Sequence, residues 1–134
     1  MKILIDTNVL ISAALWPKGA CSIAYQKAVA YPNCAVISEA NVEELHRVFT
    51  EKFPDKIDSL DAFLSVSSNV LEIIPVPKNS TIDETVLRDE NDQPILRAAI
   101  VAGVDLILTG DKDFLETDLK HPLPISPKDF IEQY

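Results

Sequence analysis

Five acids in this chain of 134 residues combine type and position in a way that could do chemistry together: Asp6, Glu44, Asp92, Asp111 and Asp113. Asp6 ends the apolar run Ile3-Leu4-Ile5, and Asp111 follows the run Leu106-Ile107-Leu108 by way of Thr109 and Gly110. Short continuous apolar runs read as strands buried on both faces of a parallel sheet, and such sheets bind ligands outside the carboxyl ends of their strands. Asp92 opens the helical pattern that leads into the second run, which places it on the same edge. Glu44 lies roughly two turns into a helical pattern after Cys34–Ile37, where it faces either the cleft or water. Carboxylates brought together repel one another and lose hydration, so they need protons or cations. Hard divalent ions such as Mg²⁺ or Mn²⁺ prefer carboxylate oxygens. One or two of them activate a water and stabilise the attacking and leaving oxygens of a phosphodiester.

Each acid also has a plainer reading. Asp6-Thr7-Asn8 and Asp92 are good helix caps, Asp111 and Asp113 suit a polar turn, and an acid on a helix is usually a solvated charge. Their joint occurrence at one sheet edge favours a site. Thr7 and Asn8 beside Asp6, with Thr109 at the second strand end, supply groups that can hold carboxylates by hydrogen bonds. Zinc fits less well, because His46 and His121 lack paired His or Cys spacing. Cys21 and Cys34 lie in apolar segments where buried, inert thiols are expected. Glycine is found only at 19, 103 and 110, so there is no Gly-rich phosphate loop. Lys112, Lys18 and Arg47 are candidate phosphate contacts and Trp16 a candidate base-stacking residue, each weighed against an ordinary surface or packing role.

The elements that must position these residues alternate. Apolar runs near 3–5, 34–37, 71–76, 105–108 and 123–125 read as strands, the third at an edge because Pro75 and Pro77 interrupt it. Helical patterns fall between them, at 9–15, 20–31, from Ser38 to Pro54, from Ile57 towards Val70, from Asp92 to Gly103, and after Ser126-Pro127. The polar stretch 78–91 reads as a loop with a short helical turn. Alternating strands and helices imply a parallel α/β sheet, and the length suits a single domain over 1–134. With 47% hydrophobic and 25% charged residues the composition is that of a soluble globular protein. The net charge of −9 argues against broad non-specific nucleic-acid binding, yet leaves room for an enzyme whose acids are gathered around cations. Asp6 interrupts the first apolar stretch before it reaches signal-peptide length, and no run is long enough to span a membrane. The two cysteines suit a reducing cytoplasm.

Taken in order, Ile5-Asp6-Thr7-Asn8-Val9-Leu10, Ser38 followed by Glu44-Leu45, Asp89-Glu90-Asn91-Asp92 and Leu108-Thr109-Gly110-Asp111-Lys112-Asp113-Phe114 resemble the PIN-domain family. The likeness is to the VapC-like toxin components of toxin–antitoxin systems and covers nearly the whole chain. It implies a Rossmann-like three-layer α/β/α sandwich with a central parallel sheet, and Mg²⁺- or Mn²⁺-dependent cleavage of single-stranded RNA. By motif position it implies Asp6 and Asp92 as direct ligands, Asp111 as ligand to a second ion or through water, Asp113 as an additional acid, and Glu44 as orienter of the water at the ion. Asp89 and Asp92 compete for the third family position, and the start of the helix favours Asp92. The family further implies homodimers and an antitoxin partner.

Two other classes are open. A phosphatase of the haloacid-dehalogenase type wants a second Asp two residues after the first, where this chain has Asn8. A non-catalytic RNA- or protein-binding scaffold would be expected to have lost some of the acids, all of which stand here.

Overall fold

The computed structural model describes residues 1–78, 90 and 92–134. The expected loop and helical turn across 78–91, and with them Asp89, lie almost wholly outside the described residues. Five parallel strands form one sheet: β1 (Lys2–Ile5), β2 (Cys34–Ser38), β3 (Leu71–Ile74), β4 (Leu106–Leu108) and β5 (Leu123–Ile125), in the order β3-β2-β1-β4-β5. The chain builds outward from β1 to β2 and β3, then returns to the other side of β1 for β4 and β5. The order therefore reverses between β1 and β4, and the carboxyl side of that junction is where doubly wound sheets hold ligands.

Side chains alternate across the pleat and so divide the core in two. Ile3 and Ile5 face one layer with Ala35, Ile37, Leu106 and Leu108, covered by α1 (Thr7–Leu15), α2 (Ala20–Val29), α3 (Glu39–Lys52), α4 (Ile57–Ser67) and α7 (Pro127–Gln133). Leu4, Val36 and Ile107 face the other layer, against Ile95, Leu96, Ala98 and Ala99 of α5 (Gln93–Val101) and Phe114 of α6 (Lys112–Leu115). The result is the α/β/α sandwich expected from the alternating pattern. Burial on both sides explains the unbroken apolar runs of β1 and β4, whereas β3 runs at the edge and leaves Ile73 exposed.

Sequence and structure differ in a few places. The first helix begins at Thr7 rather than Val9, and the stretch expected as a turn after Asp111 winds into α6. Cys34, expected to be buried, is exposed because it begins β2 at the amino edge of the sheet; its thiol donates to Glu72 Oε2 at 3.9 Å. A carboxylate neighbour gives no activation, so the thiol stays outside the chemistry.

Helix α5 stops in a Schellman arrangement, with Val104 N–H donating to Ala99 O at 3.0 Å and Gly103 N–H to Ile100 O at 3.2 Å. Gly103 has φ +70°, and a Cβ placed there meets nothing within 4 Å. The cost of a side chain is thus the backbone's alone. Gly103→Ala should lower the unfolding free energy by about 1 kcal/mol, read from the urea midpoint; an unchanged midpoint would show that the left-handed turn does not set the α5–β4 junction.

Candidate active site

Four of the helices that begin at the carboxyl edge of the sheet bear on the site, and an acid stands at the cap position of three of them: Asp6 before α1, Asp92 before α5 and Asp111 before α6. The fourth, α3, is capped by Ser38 and carries Glu44 two residues into its second turn. The partial positive charge at helix N-termini favours anions, which helps four carboxylates to converge. Capping and site roles coexist here. Asp6 Oδ1 accepts from Thr7 N–H and Asp111 Oδ1 from Asp113 N–H, both at 2.9 Å, whereas Asp92 makes no side-chain cap bond.

Asp6 is only 3% exposed. Its second oxygen, Oδ2, accepts from the Thr109 hydroxyl at 2.9 Å, and Thr109 Oγ1 in turn accepts from Asp111 N–H at 3.0 Å. One threonine thus ties the end of β1 to the turn after β4. Burial pushes the Asp6 carboxyl up from its ordinary 3.8 to about 6; the bonds from Thr109 and Thr7 work against that rise, and the charges of Glu44 and Asp111 add to it.

Asp92, Asp111 and Asp113 can each bring one carboxylate oxygen within 4.8 Å of the other two. All the donors are hard oxygens, which suits an alkaline-earth or manganous ion far better than a soft one. Glu44 joins from the side of α3, where its Oε2 accepts from the Thr7 hydroxyl at 3.0 Å. Of the two orientations left open by the sequence, it takes the one towards the cleft. Glu44 also lines a cavity of about 240 Å³ with Ala40, Glu43 and Arg47.

The remaining sequence candidates scatter. Asn8 is exposed, as is Lys112 between its two acids. Lys18 and Trp16 line a separate recess beyond the far end of α1, a helix of nine residues or roughly 13 Å. His121 is exposed and stands 3.5 Å from Asp105 near the opposite edge of the sheet. Asn41 was not a sequence candidate, although it is fully buried beside Thr7 and Ser38. The Ser-x-x-Asn spacing from Ser38 is the signal that marks it, since the third residue of a helix often returns a bond to its cap.

A parallel sheet with an acid set at its reversal point defines the class as an α/β sandwich with an acidic site at the carboxyl edge of its strands. The model described as the PIN domain matches residues 2–113, and the chain belongs to this family, whose members are typically nucleases. It is similar to the uncharacterized protein MJ1680 of Methanocaldococcus jannaschii, at 29% identity over all of this chain and 92% of that protein. It also superposes on a chain from the crystal structure of VapBC2 from Rickettsia felis bound to a promoter DNA fragment, with a TM-score of 0.70 and 22% identity over 94% of this chain and 98% of that one. The second likeness concerns the fold.

The raised Asp6 value has a consequence for stability. Its folded-state value lies above the unfolded one, so the associated stability is fully present below about pH 3.8 and is lost as pH rises through about 6. The largest loss is about 3 kcal/mol. In metal-free protein, Asp6→Asn should therefore unfold at a higher urea concentration than the wild type at pH 7 and at a similar one at pH 4. A difference between the two that does not vary with pH would show that Asp6 is not held at a cost.

Proposed function

We propose that the protein is a divalent-metal-dependent endoribonuclease that hydrolyses phosphodiester bonds of single-stranded RNA, and that it serves as the toxin of a toxin–antitoxin pair. The observation that carries the proposal is the approach of Asp92, Asp111 and Asp113 to within 4.8 Å beside the buried Asp6, in a chain of the PIN domain family. In this reading Asp6, Asp92, Asp111 and Asp113 would hold Mg²⁺ or Mn²⁺, Asp6 from the end of β1. When bound, the cation supplies a nucleophilic water at neutral pH and neutralises charge on the phosphate.

The chain's own residues do the rest. Thr7 and Thr109 keep both Asp6 oxygens directed, so the carboxylate adds charge without drifting. Glu44, tied at Oε2, orients the attacking water and takes up its proton. Thr109 also fixes the backbone of Asp111 and so keeps the two strand ends in register. Arg47, on the wall of the cavity beside Glu44, and the exposed Lys112 would in this reading meet phosphates of the strand. The net charge of −9 leaves little for a broad electrostatic footprint, which favours a short, locally held single strand over long duplex contacts.

The likeness to a chain of the VapBC2 complex supports a VapB-type antitoxin as partner, and the family resemblance supports a homodimer. Among the described residues no helix is long and apolar enough to cross a membrane; the proposed place of action is the cytoplasm.

The test is cleavage of a panel of single-stranded RNAs with Mg²⁺, Mn²⁺ or a chelator. Cutting should require the metal, and Asp6→Asn should reduce it by more than about 100-fold, beyond what the loss of an outer partner of a metal site costs, while the variant stays folded by circular dichroism. Turnover unchanged in Asp6→Asn would remove Asp6 from the mechanism. No cutting under any condition by folded protein would favour a binding scaffold.

A further inference from the structure

Asn41 is fully buried, and its amide joins the end of β2 to the starts of α1 and α3. Ser38 N–H, which can only donate, meets Asn41 Oδ1 at 3.0 Å. The Ser38 hydroxyl donates to that same oxygen at 3.1 Å and accepts from Asn41 N–H at 3.2 Å. The carbonyl end of the amide is thereby assigned, because a flipped amide would set N–H against N–H. The Nδ2 end must then face Thr7, where it donates to Oγ1 at 2.9 Å. A hydroxyl has one proton. With its oxygen engaged by Asn41, Thr7 directs that proton to Glu44 Oε2 at 3.0 Å.

The three bonds therefore run one way, from the Ser38 backbone through Asn41 and Thr7 to an oxygen that can only accept. Successive bonds aligned in this manner polarise one another. Oε1 of Glu44 makes no hydrogen bond among the described residues.

We propose that Asn41 is a positioning residue for the cleavage reaction, acting through the Thr7 hydroxyl to hold Glu44 as an oriented acceptor; this rests on the nuclease reading above. A capping role alone would contribute to the stability of α3 without coupling Asn41 to Thr7 or Glu44.

Asn41→Asp keeps an acceptor for Ser38 but removes the donor to Thr7. Thr7→Val removes the hydroxyl, and Thr7→Ser restores it. Asn41→Asp and Thr7→Val should each lower kcat on a cleavable RNA by about 10-fold or more, with KM changed by less than roughly twofold. The double variant should be no worse than the poorer single one, and Thr7→Ser should approach the wild type. Independently of cleavage, the Asn41 side-chain amide resonance of metal-free, ¹⁵N-labelled protein should shift in Thr7→Val and in Glu44→Gln. Additive losses, a change confined to KM, or an amide signal indifferent to Glu44→Gln would overturn the proposal. A wild type that does not cleave, but whose Asn41 signal responds to Glu44, would defeat the nuclease reading and leave the positioning in place. Should Asn41→Asp not fold, the Thr7 pair and the amide signal decide.

Discussion

The structure depends on keeping a carboxylate where a carboxylate is costly. Asp6 ends the central strand with apolar Ile5 behind it and the buried Thr7, Val9 and Leu10 of α1 ahead, and it has almost no contact with water. Two threonines and a helix N-terminus offset part of the cost, and two neighbouring acids add to it. An acid held this way gains most from a cation, because the ion removes both the desolvation and the repulsion. A charge held at such a cost is expected where function is built into a structure.

Sheet order explains why one edge can carry so many acids. Reversal of the chain between β1 and β4 opens a gap outside the carboxyl ends of both strands, and the helices that leave them direct their N-termini towards it. Asp6 and Asp111 are therefore adjacent for topological reasons, although 105 positions separate them. Thr109 makes that adjacency firm by accepting from one segment and donating to the other.

Much of this was legible in the sequence because it rests on contrasts that survive without coordinates. An apolar run stopped by Asp6, and a second followed through Thr109 and Gly110 by Asp111, mark two buried strands with acids beyond their ends; Asp92 with Pro94 marks a helix start; Gly103 marks its end. Glu44 was ambiguous, since its helix has few apolar positions and a turn of helix does not say which face a long side chain prefers. Cys34 misled because an apolar neighbourhood does not report that a residue is the first of its strand. The short α6 was hidden by its length, as four residues carry no periodicity.

Asn41 shows a different limit. An asparagine within a helix reads as an indifferent former, and nothing in its type announces that both ends of its amide are engaged. The contact that gives it meaning crosses from α3 to α1 over 34 positions, and only the packed sheet creates it. Yet the physical requirement is local: a backbone donor with one possible acceptor assigns the amide, the amide assigns the hydroxyl, and the hydroxyl assigns the oxygen of Glu44 that remains available. Hydrogen-bond direction, rather than distance alone, separates a residue that caps a helix from one that also aims a carboxylate. The same reasoning applies wherever a buried amide stands between a fixed donor and a carboxylate.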